Sequence, residues 1–132
     1  MCNIPQTIQV RTDMTGHNKT IVYTNGLKYT GPIFEGNRHG KNGELLLTTN
    51  LFKSIRCDWS LNRPILNTMT AVTRNGSIIK NIKFKIENKM IILLLNDNEY
   101  VVDLDLSYFV TKLKLSNGLI YSGTIFDGYP HG

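Results

Sequence analysis

Hydrophobic and polar residues alternate with a period of two along much of the second half of the chain. Within residues 81–89, Ile82, Phe84 and Ile86 alternate with Lys83 and Lys85. Residues 102–107 and 112–118 alternate in the same way, and the second of these segments ends in an Asn-Gly pair. A period of two is typical of strands with one buried face. No segment has the periodicity of a helix, so we predict an all-β protein, with any helix confined to residues 1–16.

One stretch of sixteen residues occurs twice. Residues 25–40, NGLKYTGPIFEGNRHG, return as residues 117–132, NGLIYSGTIFDGYPHG, and ten positions are identical. A repeated stretch of this kind predicts units that bury their apolar faces only by stacking on their neighbours. Weaker units are indicated between the copies. Phe52, Ile79 and Val101 would take the place of the repeated tyrosine, and Asn75-Gly76 repeats the leading Asn-Gly pair.

The repeated pattern Gly-x-x-Tyr-x-Gly, followed by Gly and then His-Gly, resembles the MORN repeat. The first copy matches it at Gly26, Tyr29, Gly31, Gly36, His39 and Gly40, and the second at Gly118, Tyr121, Gly123, Gly128, His131 and Gly132. A later glycine of the family pattern is displaced here to Gly43, which predicts a β-bulge or a longer turn. The resemblance implies an elongated single-layer stack of antiparallel β-hairpins, a MORN-like repeat solenoid.

We expect residues 1–132 to form one repeat domain, with clear repeats near 25–48 and 117–132, degenerate units between them and an eroded cap unit in 1–24. Aromatic rings lying on glycines of neighbouring strands, and not a central core, would hold the stack together. Five units would give a rod of roughly 50 Å. The predicted stacking rings are Tyr29, Phe34, Phe52, Trp59, Tyr121 and Phe126. The predicted repeat turns are Gly31, Gly36, His39, Gly40, Gly123, Gly128, His131 and Gly132.

Candidate catalytic groups are few and do not converge. Cys57 lies beside Asp58 and Trp59, but a neighbouring carboxylate disfavours the thiolate that a nucleophilic cysteine needs. Asp103 and Asp105 could form a carboxylate pair, yet we expect them to face lysines of neighbouring strands in a charge ladder. Those lysines are Lys83, Lys85, Lys112 and Lys114. The three histidines are spread along the repeats, so we predict no enzyme activity, no cofactor and no metal site.

Charge is distributed unevenly along the chain. Residues 1–90 carry thirteen Lys or Arg and five Asp or Glu, whereas residues 91–132 carry two and five. Lys80, Lys83, Lys85 and Lys89 form a candidate patch for anions or lipid headgroups. Two cysteines are too few for a disulfide framework, which favours a cytoplasmic location, with a location peripheral to a membrane as the alternative. No nucleic-acid-binding motif accompanies the basic residues, so binding to nucleic acid is not favoured.

The favoured function is a non-enzymatic repeat scaffold for protein–protein interaction. The second copy ends before its last hairpin strand. Either the sequence is a fragment of a longer array, or the apolar segment 119–126 presents an open β edge, which predicts a homodimer or another protein partner. The alternative is a peripheral membrane module that binds anionic, phosphoinositide-type headgroups. MORN-like arrays serve as interaction modules and some have been associated with acidic phosphoinositides, so the resemblance implies these same two classes.

Overall fold

Antiparallel strands make up the fold of the described residues, which are Thr12, 14–65 and 68–130 of this computed structural model. No helix is found within them, which confirms the predicted all-β class. The first eight strands are β1 (Gly16–Val22), β2 (Lys28–Phe34), β3 (Asn37–Arg38), β4 (Gly40–Leu46), β5 (Phe52–Ser60), β6 (Arg63–Pro64), β7 (Thr70–Thr73) and β8 (Ile78–Lys80). The remaining strands are β9 (Lys83–Glu87), β10 (Met90–Leu95), β11 (Asn98–Asp103), β12 (Ser107–Lys114), β13 (Ile120–Phe126) and β14 (Tyr129–Pro130).

Three sheets contain these strands. The largest sheet runs β1-β2-β4-β5-β7-β8, with β3 added beside β2 and β6 added beside β5. The second sheet is the meander β9-β10-β11, and the third runs β12-β13-β14. The first copy of the repeat therefore lies in the large sheet as β2 and β3. The second copy forms β13 and β14 of the third sheet.

The Asn-Gly pairs form three equivalent turns, at residues 25–26, 75–76 and 117–118. In each turn the asparagine Oδ1 accepts a hydrogen bond from the backbone N–H two residues later, at 3.1, 3.2 and 3.1 Å. The glycine φ angles of 93°, 91° and 88° lie in the left-handed region that L residues rarely adopt. The Asn-Gly pair at 75–76 was predicted to mark a degenerate unit, and its turn matches those of the two clear copies.

A second class of tight turn closes the hairpins β2-β3, β5-β6 and β13-β14. Both central residues have positive φ in Glu35-Gly36, in Leu61-Asn62 and in Asp127-Gly128, as the type I′ hairpin turn requires. In the first copy the tight turn begins at Glu35, six residues after Tyr29. The equivalent turn of β5-β6 begins at Leu61, so the residue of β5 that occupies the tyrosine position is Ile55. The prediction that Phe52 takes the tyrosine position is therefore wrong by three residues.

The meander β9-β10-β11 departs from the repeat pattern. Its turns are Asn88-Lys89 and Asn96-Asp97, again with positive φ at both positions. Val101, predicted to open a repeat unit, lies within β11 of this meander and is exposed. The buried residues of the meander include Ile91, Leu93 and Val102, which belong to the common core.

The predicted charge ladder does not form. Strand β11 pairs with β10, where Asp103 lies opposite Met90, and it pairs with neither β9 nor β12. The described ion pairs of this region are instead Lys85 with Glu87 and Glu99, at 3.2 and 3.3 Å, and Lys89 with Asp105, at 3.5 Å. All of these side chains are partly exposed, so each pair contributes little to stability. The alternation in the sequence identified the strands but not their neighbours.

The three sheets share one hydrophobic core, and the two repeat copies lie side by side. Tyr29, Tyr121 and aliphatic residues of the meander belong to the same cluster of buried side chains. Antiparallel bridges join Thr12 to Leu115 and Tyr23 to Tyr108, linking the start of the large sheet to β12. The expectation of a rod with the copies far apart and no central core is wrong, and the elongated single-layer stack is not confirmed.

Candidate interaction edge

Tyr29 lies on glycines of its own strand and of the next one. Its hydroxyl donates a hydrogen bond of 2.8 Å to the carbonyl oxygen of Pro32, which folds the ring back along β2. A Cβ atom added to Gly43 of β4 would come within 2.0 Å of the Tyr29 hydroxyl oxygen. A Cβ added to Gly31 would lie 2.7 Å from the Cα of Gly43. The predicted ring-on-glycine contact therefore exists, and it fixes glycine at both positions.

Tyr121 adopts the same pose in the second copy. Its hydroxyl donates to the carbonyl oxygen of Thr124 at 2.9 Å, again three residues along the strand. A Cβ added to Gly123 would lie 2.6 Å from the Tyr121 hydroxyl oxygen. The two copies thus repeat a local geometry, a ring folded over a glycine two residues later, and not merely a sequence pattern.

The copies differ in what lies beside them. Strand β2 pairs with β1 on one side and with β4 on the other, where Tyr29 lies opposite Leu45. Strand β13 pairs with β12 along its length, but on its other side only Ile125 and Phe126 are paired, with β14. Among the described residues nothing takes the place of β4, so the edge of β13 from residue 120 to residue 124 is open.

The leucine that follows the Asn-Gly turn is exposed to a different extent in the two copies. Leu27 is 6% exposed, and its equivalent, Leu119, is 63% exposed. Leu27 and Leu47, which follows β4 directly, line the same small cavity. Ile120, the next residue after Leu119, is 62% exposed. We define the open edge as residues 119–124. It includes the exposed aliphatic side chains of Leu119 and Ile120.

The two equivalent tight turns pack against each other at a seam between the copies. A Cβ added to Gly128 would lie 2.6 Å from the carbonyl oxygen of Glu35, and one added to Gly36 would lie 3.3 Å from the Cα of Gly128. The Tyr108 hydroxyl donates to the carbonyl oxygen of Gly36 at 3.0 Å. Close backbone approach therefore requires glycine in both turns, which gives a structural reason for the recurrence of this part of the motif.

Arg38 is buried at the same seam and is only 1% exposed. Its Nη1 donates to the Tyr23 hydroxyl at 3.1 Å, and its Nη2 donates to the carbonyl oxygens of Leu104, at 2.8 Å, and Asn62, at 3.2 Å. The centre of the guanidinium lies 5.0 Å from the centroid of the Trp59 ring. Among the described residues no carboxylate pairs with it and its Nε has no acceptor.

The predicted stacking rings occupy different environments. Tyr29, Phe52 and Trp59 are fully buried, and the Trp59 Nε1 donates to the carbonyl oxygen of Gly43 at 2.9 Å. Phe34, by contrast, is 44% exposed and lies beside the ring of His39, so it takes no part in a buried stack. Phe126 is half-buried next to the seam turn Asp127-Gly128.

The predicted turn residues divide into three groups. Gly36 and Gly128 lie in tight turns, whereas Gly31 and Gly123 lie within β2 and β13 beneath the tyrosine rings. Gly40 opens β4, and the pairing register shifts between it and Gly43, which confirms the predicted bulge. His131 and Gly132 lie outside the described residues.

His39 lies between β3 and β4, and not within a tight turn. Its Nδ1 accepts a hydrogen bond of 3.0 Å from the backbone N–H of Leu61. This bond ties the first copy to the neighbouring turn Leu61-Asn62, and it assigns the proton of the neutral ring to Nε2.

Cys57, the candidate nucleophile, lies in an environment that disfavours its thiolate form. Burial, with a smaller contribution from Asp58, raises the pKa of the Cys57 thiol to about 12, so the thiol stays protonated near neutral pH. Asp58 accepts a hydrogen bond of 3.0 Å from the backbone N–H of Asn42. No group of three or more potential metal ligands occurs in the part of the chain that the structure describes.

The lysine patch is only partly free. Lys85 and Lys89 form ion pairs with Glu99 and Asp105, respectively. Lys80 ends β8 and Lys83 begins β9; both are exposed, and among the described residues neither has an ion-pair partner. Of the four lysines in the predicted patch, only Lys80 and Lys83 therefore carry a charge that no described carboxylate neutralises.

Sequence reasoning missed Arg38 and the contrast between Leu27 and Leu119. Arg38 corresponds to Pro130 of the second copy, and this difference between the copies was the available signal. The leucines are identical in the aligned copies, so their local sequence gives no signal that distinguishes them. The open edge itself was predicted, whereas its exposed residues were not singled out.

Comparison with known protein families, with characterised proteins and with solved structures finds no significant match. Over the described residues, the structure contains no helix of the length and apolar character needed to cross a membrane.

Proposed function

We propose that this chain is a MORN-like repeat scaffold that mediates protein–protein interaction and self-associates through the open edge of β13. The observation that supports it is the contrast between the copies. Leu27 is 6% exposed and directly precedes β2, which pairs with β4, whereas Leu119 is 63% exposed and among the described residues no strand takes the place of β4 beside β13. Unpaired N–H and C=O groups flanked by bare aliphatic side chains favour addition of a further strand.

A second copy of the chain supplies such a strand directly. Two β13 strands related by a two-fold axis would pair antiparallel, which satisfies the unpaired backbone groups of both copies at once. Charged side chains on an edge strand oppose pairing with another chain. Lys112 and Lys114 lie on β12, away from the open edge, so they do not oppose pairing with a second β13. No described residue of the edge itself carries a charge.

Light scattering after size exclusion, over a wide range of protein concentration, tests this proposal. We expect the mass to rise from that of a monomer to that of a dimer for the native chain. Ile120→Lys should abolish the rise, because a lysine at the edge opposes pairing with a second strand. Phe109→Lys is the matched control: Phe109 is an equally bare side chain on β12 of the same sheet, and this variant should still dimerise. A strictly monomeric native chain would refute the proposal.

A second candidate function is binding to anionic lipid headgroups. The observations that favour it are the exposed, uncompensated Lys80 and Lys83 and the formal net charge of +5. Two lysines provide a weak membrane attraction of about 1 kcal/mol each near an anionic surface. We rank this function second because the other two lysines of the patch are already paired.

A further inference from the structure

The first copy shows which kind of strand pairs with the edge of β2 that is equivalent to the open edge of β13. We infer that the open edge accepts a strand of the β4 type, Gly-polar-apolar-apolar-apolar, supplied by another polypeptide, in the register that β4 takes on β2. This inference rests on the proposed function and names the chemistry of the partner that the edge selects.

The first copy provides the template for the register. There β4 runs antiparallel to β2, with Leu46 opposite Lys28, Leu45 opposite Tyr29 and Glu44 opposite Thr30. Transferred to the second copy, the apolar residue at the position of Leu45 falls opposite Tyr121. Its neighbours fall opposite Ile120 and Ser122. The apolar residue at the position of Leu47 then covers Leu119, as Leu47 and Leu27 together line one cavity in the first copy.

The glycine in this pattern is set by the tyrosine ring. Tyr121 has the same hydroxyl hydrogen bond and the same glycine beneath it as Tyr29. An incoming strand therefore places the residue equivalent to Gly43 against the Tyr121 ring. At Gly43 a Cβ atom would come within 2.0 Å of the tyrosine hydroxyl oxygen and 2.6 Å of the ring carbon that bears it. Any residue larger than glycine must displace the ring or shift the register.

The apolar part of the pattern follows from exposure. Leu45 and Leu47 are buried in the first copy on the face of the sheet that carries Leu27, and the equivalent leucine of the second copy, Leu119, is exposed. Ile120 is equivalent to the exposed Lys28, so it lies on the opposite face, where the apolar residue at the position of Leu46 would cover it. Burying these two side chains provides the main gain in free energy on binding, and backbone pairing provides the direction and register of the strand. The polar residue of the pattern needs no buried partner, because Ser122 opposite it is exposed.

A peptide copied from the protein itself tests this inference. We use residues 40–48, GKNGELLLT, capped at both ends and carrying a fluorophore, and measure binding to the full chain by fluorescence anisotropy. We expect saturable binding that weakens at least about tenfold when the peptide carries Gly43→Val. In the protein, Leu119→Lys should weaken binding to a similar extent, whereas the control Phe109→Lys should leave it unchanged. Both protein positions are exposed, so neither variant should disturb folding.

Hydrogen exchange locates the bound peptide. Saturation with the peptide should slow amide exchange within residues 119–124 and leave exchange in the first copy unchanged. Absence of saturable binding, equal binding by the Gly43→Val peptide, or protection of residues elsewhere would overturn the inference. If the chain dimerises but the peptide does not bind, only the inference on strand chemistry fails. If the peptide binds to a chain that stays monomeric, only the proposed self-association fails.

Discussion

Arg38 and Leu104, 66 residues apart in the chain, are joined by a hydrogen bond of 2.8 Å between the arginine Nη2 and the leucine carbonyl oxygen. Arg38 also reaches the Tyr23 hydroxyl and the carbonyl oxygen of Asn62, so one guanidinium connects β3, the end of β1, the β5-β6 turn and the segment after β11. No carboxylate of the described residues pairs with this buried cation, and its desolvation cost is offset only in part by these acceptors and the ring of Trp59. This contact joins the first repeat copy to the segment that leads into the second.

Replacement of Arg38 should destabilise the protein strongly. Arg38→Met leaves the buried acceptors Leu104 and Asn62 without their donor, and we expect a loss of about 3 kcal/mol in the free energy of unfolding. Urea denaturation measures this loss. Arg56→Met is the matched control, because Arg56 is exposed and its ion pair with Glu44 spans 3.4 Å. The control should cost less than about 1 kcal/mol. Equal losses in the free energy of unfolding for Arg38→Met and Arg56→Met would contradict a stabilising role for the buried hydrogen bonds of Arg38.

A methyl group at Gly43 should destabilise the protein by steric overlap with Tyr29. We expect Gly43→Ala to cost about 3 kcal/mol, at the upper end of overpacking effects, since the ring is itself held by the Pro32 carbonyl. In a Tyr29→Leu background the same substitution should cost much less, and a double-mutant cycle from urea denaturation measures the coupling. Gly76→Ala is the comparison: nothing lies within 4 Å of its added Cβ, so only backbone strain of about 1 kcal/mol remains. Additive losses at Gly43 and Tyr29 would rule out the contact.

The buried thiol of Cys57 should make stability fall at alkaline pH. Its pKa in the folded protein is about 12, whereas a thiol in an unfolded chain ionises near about 8.5. Above that lower value the unfolded state loses a proton that the folded state keeps. The free energy of unfolding should therefore be independent of this thiol below pH of about 8.5 and fall by up to about 1.4 kcal/mol per pH unit above it.

The test is the pH dependence of urea denaturation between about pH 7.5 and pH 9. Higher pH is avoided because tyrosines of the unfolded chain ionise near about pH 10, and burial raises the pKa of Tyr23, Tyr29 and Tyr108 in the folded protein. Cys57→Ala should flatten this dependence, and Cys2→Ala should not if the effect belongs to Cys57. A slope that persists in the Cys57 variant would assign the alkaline effect to other groups.

The two repeat copies should unfold together. They share one core and pack at the seam, so the third sheet has no separate interior to keep it folded. Tyr108→Phe removes the hydrogen bond to Gly36 at the seam and should lower the stability of the whole molecule by about 1 kcal/mol. Fluorescence of Trp59, which reports on the large sheet, and far-ultraviolet circular dichroism should give the same midpoint. Two separated transitions would instead indicate independently folded copies.

Binding to anionic vesicles, if it occurs, should depend on Lys80 and Lys83. Co-sedimentation with vesicles that contain an acidic phospholipid should fall for the double variant Lys80→Glu, Lys83→Glu, and should also fall as salt screens the charges. Lys85→Gln is the control, because this lysine is already paired with Glu87 and Glu99 and should matter less. Equal sedimentation of neutral and anionic vesicles would exclude headgroup recognition.

The sequence by itself determined the all-β class, the Asn-Gly turns and the local geometry around each repeated tyrosine. These features depend on contacts within a few residues: a glycine at positive φ, an asparagine side chain bonded to its own turn, and a ring folded over the glycine two positions later. This is why Asn75-Gly76 could be recognised as a turn equivalent to Asn25-Gly26 although the rest of its unit has diverged.

Only the tertiary structure decided which strands are neighbours. Alternation of apolar and polar residues does not specify the partner of a strand, so Asp103 could not be assigned to Met90 instead of to a lysine. The adjacency of Gly36 and Gly128, the burial of Arg38 and the exposure of Leu119 all depend on contacts between residues far apart in the chain. Leu27 and Leu119 have the same local sequence, and their different exposure follows from their tertiary surroundings. Leu27 lies against Leu47 and Val102, whereas among the described residues no strand takes the place of β4 beside β13.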